Sequence, residues 1–256
     1  MLYSQLPPLC DAPVCRLRGL RSVALGVADP QASRDFYHEV WRLHTVDEDG
    51  DRFWLRANGS EHHVLDLRRN DVNSLGGISF ALATPREVDD AARALVAIGV
   101  PMLTEPGPLD DAGGGYGLRF VDPEGRTIEL SADTFAVPEL EPAGRQAIPR
   151  KIAHVVLNTT DIERTARFYT QVLGMRISDW SERQMAFLRC NGVVAMGIGQ
   201  IVTLRLPADE LAAVNVELER RAWGTFHTEF YPTYDFLPVR ERLTRESDDR
   251  RAGAAA

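Results

Sequence analysis

The sequence predicts an α+β protein built from paired βαβββ modules, the second of which is incomplete or degenerate. Two observations lead to this fold class. Short alternating apolar stretches, typical of strands, are separated by only a few stretches with helical periodicity. In addition, a pattern that begins near residue 20 returns near residue 152. Such self-similarity indicates two related structural units.

The returning pattern consists of an apolar strand, an aspartate and an aromatic pair. The two copies are 20–25, Asp29 and Phe36-Tyr37, and 152–157, Asp161 and Phe168-Tyr169. Aspartate directly before a helical stretch is a favoured N-cap. Each copy therefore predicts a strand that runs into a capped helix.

The first βαβββ unit continues from this opening. A helix is predicted over 31–40, with Ala32, Phe36 and Val40 forming one buried stripe. Strands are predicted at 53–57 and 63–67, separated by the turn pair Asn58-Gly59.

A second unit follows within the same module. Its predicted elements are a strand at 78–82, a helix at 85–98, and strands at 116–121 and 127–131. The last two strands are joined by the turn Asp122-Pro123-Glu124-Gly125, whose residue types favour a tight reversal.

These elements divide the chain into four parts. Residues 18–133 form a first paired module, and 134–150, with three prolines, form a linker. Residues 151–198 begin a second module, and 199–256 form a divergent tail. The repeat pattern stops after Gly192. The hypotheses for this are a shifted reading frame, degeneration of this half, or a disordered tail.

Composition excludes several classes of partner. The chain has 256 residues, a formal net charge of −8 and only 3 cysteines, and it contains neither a basic cluster nor a long apolar run. These features disfavour binding to nucleic acid or membranes. An odd, widely spaced cysteine set is typical of reduced thiols. We therefore expect a cytoplasmic protein that acts on a small molecule and can form homo-oligomers.

The paired units, the strand-aspartate-helix openings and the Asp122–Gly125 turn leading to Glu129 together resemble the vicinal oxygen chelate superfamily. The resemblance covers about residues 18–192 and is greatest to two-module catechol 2,3-dioxygenases and biphenyl-2,3-diol 1,2-dioxygenases. It implies Fe(2+) held by two histidines and one carboxylate within one module. By this resemblance, His154 is the metal ligand at the start of the second module.

The resemblance leaves the rest of the site unassigned. The other ligands and the catalytic base are not visible after Asn191, so no catalytic residue is named. In the first module, Ser22 and Gly77 stand at the positions of the family's two histidine ligands, and only Glu129 matches the position of the carboxylate ligand. The first module is therefore expected to be noncatalytic. Strand alternation predicts that His62 and His63 point to opposite faces.

Three functions follow from these expectations. The first is an extradiol ring-cleaving dioxygenase, or an inactive relative of one, acting with O2 on catechol or 2,3-dihydroxybiphenyl-type aromatic diols. The alternative is a metal-free small-molecule binding protein of the same superfamily. Its pocket would draw on Trp41, Phe53, Trp54 and Phe80. The third is a glyoxalase or epimerase with one site built from both modules, for which only Glu129 and His154 stand at family positions.

Overall fold

The computed structural model describes residues 13–141, 149–181, 185–190 and 194–200. All but the first two residues of the divergent tail predicted at 199–256 therefore lie outside the described residues. Among the helices that are described, none is long and apolar enough to span a membrane.

The first unit contains one helix and four strands: β1 (Gly19–Val27), α1 (Pro30–Glu39), β2 (His44–Asp49), β3 (Arg52–Arg56) and β4 (Leu65–Arg69). Helix α1 begins where the sequence predicts. The Asp29 side chain accepts a hydrogen bond from the Ala32 amide at 3.0 Å, and Pro30 occupies the first turn.

The second unit has the same layout and shares the sheet of the first. Its elements are β5 (Ser74–Ala81), α2 (Pro85–Ala97), β6 (Gly107–Pro108), β7 (Tyr116–Val121) and β8 (Thr127–Ala132). The eight strands lie in the order β2-β3-β4-β1-β5-β8-β7-β6. Strand β1 pairs parallel with β4 and antiparallel with β5, and β5 pairs parallel with β8. The mixed α+β class is as predicted.

The chain beyond the linker has the topology of the first unit. Its elements are β9 (Val155–Thr159), α3 (Ile162–Gln171), β10 (Arg176–Ser181), β11 (Met185–Arg189) and β12 (Val194–Gln200). Their order, β10-β11-β12-β9, matches β2-β3-β4-β1. Val155 pairs with Met196 in β12 as Val23 pairs with Leu65 in β4. The two segments therefore share their strand order and the register of their parallel pairing.

The strands β2, β6 and β10 are among those that were not predicted from the sequence. Each lies at an edge of its sheet. Strand β2 reads His-Thr-Val-Asp-Glu-Asp and is largely exposed, so it lacks the apolar alternation that reveals a half-buried strand. Backbone pairing to β3, rather than side-chain burial, holds it in place.

The prediction that α1 buries an apolar stripe is wrong. Phe36 is 50% exposed and Val40 is 62% exposed. The matching residues of α3, Phe168 and Val172, instead pack against the core that contains Phe120. The apolar side chains of this pattern are therefore packed on α3, whereas on α1 no described residue packs over them.

Candidate functional site

A cavity of about 260 Å³ lies on the polar face of the eight-stranded sheet. Its walls include side chains from five strands: Arg21 and Ser22 on β1, Asp66 and Arg68 on β4, Ser79 on β5, Arg119 on β7 and Glu129 on β8. Neighbouring residues on the same strands, such as Leu67, Phe80 and Leu130, are buried on the opposite face. Strand alternation therefore separates an apolar core from a polar cavity.

The three positions identified from the sequence meet in this cavity. Ser22, Gly77 and Glu129 all line it. Glu129 is already engaged, because Ser79 Oγ donates to Oε1 at 2.8 Å and Arg119 Nε donates to Oε2 at 2.8 Å. A serine, a glycine and an ion-paired glutamate do not make a metal site. That the first module is noncatalytic stays a prediction.

Arginines and carboxylates form a continuous network around the cavity. Arg119 reaches Asp111 at 2.6 Å, and Arg52 joins Asp111 to Asp66. Burial by itself raises the pKa of Asp66, but hydrogen bonds from Arg52 and Arg68 outweigh this effect and the pKa falls below its usual value. The carboxylate therefore stays ionised.

A further ion pair closes the opposite wall. Arg21, whose side chain is only 13% exposed, donates to Glu61 at 2.8 Å and to Ser131 Oγ at 3.1 Å. It also donates to the Thr134 hydroxyl, which belongs to the segment after β8. This arginine therefore fastens two chain segments across the cavity.

Both His62 and His63 line the cavity, so the prediction that they point to opposite faces is wrong. Their Nδ1 atoms lie 3.2 Å apart. The pair precedes β4 rather than lying within it, and strand alternation does not apply there. Burial lowers the pKa of both rings, for His63 to about 4. Both rings are therefore neutral at pH 7.

His154, the predicted metal ligand, is exposed and directly precedes β9. The register Val155–Met196 matches Val23–Leu65, so His154 stands where Ser22 stands in the first module. Across residues 13–141, 149–181, 185–190 and 194–200, no three His, Cys, Asp or Glu side chains form a metal-binding group. The described residues alone therefore do not complete a site for Fe(2+), and the positions after Asn191 where the resemblance places the other ligands lie largely outside them.

The predicted aromatic pocket does not form. Phe53, Trp54 and Phe80 are buried in the structure, and Trp41 is 55% exposed. None of the four lines the cavity described here. Phe53 and Phe80 pack in the hydrophobic core, whereas Trp54 pairs with Asp66 and lies under the Arg52 guanidinium. The sequence alone does not reveal which face of a strand holds a ligand.

The charged network was missed by sequence reasoning. Its signal was present as charged residues at alternate strand positions, Asp66 and Arg68 on β4 and Arg119 on β7 opposite Glu129. Such alternation indicates a polar sheet face. What it does not reveal is that Asp111, from the loop before β7, completes the network.

The chain is similar in sequence and in fold to known proteins. The model of the Glyoxalase/Bleomycin resistance protein/Dioxygenase superfamily matches residues 19–130 and 151–200. A manganese-dependent 2,3-dihydroxybiphenyl 1,2-dioxygenase of Geobacillus genomosp. 3 is 26% identical over 181 residues, which are 65% of this chain and 56% of the relative. A lactoylglutathione lyase of Arabidopsis thaliana is 33% identical over 175 residues, which are 63% of this chain and 56% of the relative.

A solved structure gives a similar result. The Mn(II)-bound glyoxalase from Novosphingobium aromaticivorans superimposes with a TM-score of 0.69 and 35% identity, covering 80% of this chain and 71% of that one. The chain spans only 56% of the length of each curated relative named above. The matched segments coincide with the two units of the first module and with the strands β9 to β12 and helix α3 of the second. The chain belongs to the Glyoxalase/Bleomycin resistance protein/Dioxygenase superfamily.

Proposed function

We propose that the protein is an extradiol-dioxygenase-type member of this superfamily whose first module carries no metal and whose second module holds a metal ion through His154. The proposed substrates are O2 and an aromatic diol of the catechol or 2,3-dihydroxybiphenyl type. Support comes from the dioxygenase relative of Geobacillus, which is named for its action on 2,3-dihydroxybiphenyl and its dependence on manganese. Iron is the metal first expected, and manganese is the second candidate.

The observation that carries the proposal is the state of Glu129. A glyoxalase site shared between the modules needs this carboxylate to be free, but Arg119 and Ser79 occupy both of its oxygens. A site contained within the second module needs nothing from Glu129. The position of His154, in register with Ser22 of the first module, is consistent with the second arrangement.

The test is the metal content of the purified protein, measured by elemental analysis after anaerobic loading with Fe(II) or Mn(II). We expect near-stoichiometric metal in the wild type and its loss in His154→Ala. The matched control is His44→Ala, which removes a histidine from edge strand β2, outside the proposed site. Loaded protein is then assayed for cleavage of catechol and 2,3-dihydroxybiphenyl. Absence of His154-dependent metal and of ring cleavage would contradict the proposal and leave a metal-free binding protein.

A lactoylglutathione lyase activity is the second candidate, because the matches to a lyase and to a glyoxalase structure have higher identity, 33% and 35%, than the 26% of the dioxygenase. The same protein preparations are assayed for lactoylglutathione formation. If this reaction requires Glu129 and His154 together, the site is shared between modules and the extradiol proposal is wrong.

A further inference from the structure

We propose that the first-module cavity is itself a metal-free binding site for an uncharged, hydroxylated molecule of about single-ring size. The cavity volume of about 260 Å³ suits one substituted ring better than a larger ligand. This inference does not depend on the function proposed for the second module, because it uses none of the residues near His154.

The charge of the cavity wall determines the charge of the ligand. The carboxylates in the wall are Glu61, Asp66, Asp111 and Glu129. The arginines that pair with them are Arg21, Arg68 and Arg119 in the wall and Arg52 beside it. Four positive and four negative charges balance, and the neighbouring imidazoles are neutral at pH 7. An ionic ligand would add an unbalanced charge to a partly desolvated site, which costs free energy.

Hydrogen-bonding groups suited to hydroxyls lie among these ion pairs. The side chains of Ser22, Ser79 and Thr127 project from neighbouring strands into the cavity. The imidazoles add to this set. With Nδ1 of one ring donating to Nδ1 of the other, the pair has one Nε2 acceptor and one Nε2–H donor left. A hydroxyl both donates and accepts, so it matches this mixture better than a purely accepting or purely donating group.

Apolar groups complete the lining and favour a ring. Ala24 contributes from the sheet, and Leu103 and Leu109 contribute from the segment between α2 and β7. The loop backbone closes tightly over the histidines, because a Cβ placed on Gly113 would lie 3.3 Å from the His62 side chain. One apolar side and one hydrogen-bonding side together describe a site for a phenol-like or similarly hydroxylated ring.

The test uses catechol as the neutral probe and 3,4-dihydroxybenzoate as an anionic probe of similar shape. Binding is measured by calorimetry at pH 7, on full-length His154→Ala protein in the presence of chelator, so that metal-dependent binding in the second module cannot contribute. We expect catechol to bind at least tenfold more tightly than the benzoate. Equal binding or preference for the benzoate would overturn the inference.

Two variants locate the binding site. Gly77→Val adds bulk to the cavity wall at a position where a Cβ has only ordinary contacts, the nearest at 3.5 Å. It should weaken catechol binding at least tenfold. The control Gly107→Val makes the same change on edge strand β6, where a Cβ meets nothing within 4 Å, and should leave binding unchanged. Circular dichroism and thermal unfolding verify that both variants are folded. Catechol binding that survives Gly77→Val in folded protein would place the ligand elsewhere and contradict the inference.

A third variant tests the charge argument directly. Glu129→Gln removes one negative charge from the wall while keeping the shape of the side chain, so that Arg119 retains only Asp111 as a carboxylate partner among its described contacts. The preference for catechol over the benzoate should shrink at least fivefold or reverse. An unchanged preference in folded protein would show that wall charge does not select the ligand. Because every arm of this test is run without His154 and metal, its failure is distinguishable from failure of the extradiol proposal.

Discussion

Tyr169 of helix α3 donates its phenolic hydrogen to Asp122 Oδ2 at 3.0 Å, linking the second module to the turn between β7 and β8 of the first. The Asp122 side chain is fully buried and also accepts from the Glu124 and Arg126 amides and from the Arg126 guanidinium. One carboxylate therefore closes the turn and fixes the neighbouring module. The sequence predicts only a tight reversal here, and the structure adds the docking of α3 to the role of this turn.

Removing either partner of this contact should destabilise the protein to different extents. Tyr169→Phe loses one hydrogen bond to a charged acceptor, which costs about 1.5–3 kcal/mol. Asp122→Ala leaves a buried guanidinium and several donors without their acceptor, which costs about 3–5 kcal/mol. Urea unfolding measures both values. Tyr37→Phe, the matched change in α1, should alter the free energy of unfolding by less than about 0.5 kcal/mol. An equal loss for Tyr37→Phe and Tyr169→Phe would contradict this assignment.

The phenylalanines of the two helices should differ in their contribution to stability. Phe168 packs against Phe120, with ring centroids 6.4 Å apart, whereas Phe36 is half exposed. Phe168→Ala should lower the free energy of unfolding by about 2–4 kcal/mol, because it leaves a cavity between the modules. Phe36→Ala should cost less than about 1 kcal/mol. Chemical denaturation of the two variants decides the matter. A large loss for Phe36→Ala would mean that the face of α1 is covered in solution.

Much of the fold was predictable because its local signals agree with one another. Asp29 and Asp161 cap helices where expected, and Asn58-Gly59 and the Asp122 turn lie between strands. The exposure of the apolar face of α1 was not predictable, because the same pattern of apolar residues is packed against the core on α3. The two helices differ in what packs against this face, and the local sequence of a helix does not encode its tertiary neighbours.

Part of the cavity lining could be anticipated from the sequence, but its ion pairs could not. The family resemblance placed Ser22, Gly77 and Glu129 at the three ligand positions of the first module, and all three line the cavity. The ion pairs in the cavity depend on Asp111, which a loop brings to Arg119 from 8 residues earlier in the sequence. They also depend on Arg52 of β3, which reaches Asp66 on the neighbouring strand β4. Such contacts arise from tertiary structure, so residue types along the chain do not specify them.

Cys15 should be inert to thiol reagents in the folded protein. It is 7% exposed, and burial, with a smaller contribution from Glu87, raises the pKa of its thiol to about 12. Because the thiolate is the reactive form, labelling by a disulfide reagent at pH 8 should be negligible at this position. The measurement compares thiol counts of native and denatured protein for the wild type and Cys15→Ser. The variant should lose one thiol from the denatured count and none from the native count. Loss from the native count would disprove burial of Cys15.

The pH dependence of stability should reveal the burial of His63. Burial lowers its pKa from 6.5 to about 4 in the folded protein, so between these values the unfolded chain binds more protons than the folded one. Stability is therefore full above pH 6.5 and falls as the pH decreases towards 4, by about 3 kcal/mol for this group. Urea unfolding at pH 4 to 7.5 measures the slope. His63→Gln should flatten it, with the part due to His62 remaining, whereas His44→Gln on edge strand β2 should leave it unchanged. An identical slope in His63→Gln would contradict a neutral, buried imidazole in the cavity wall.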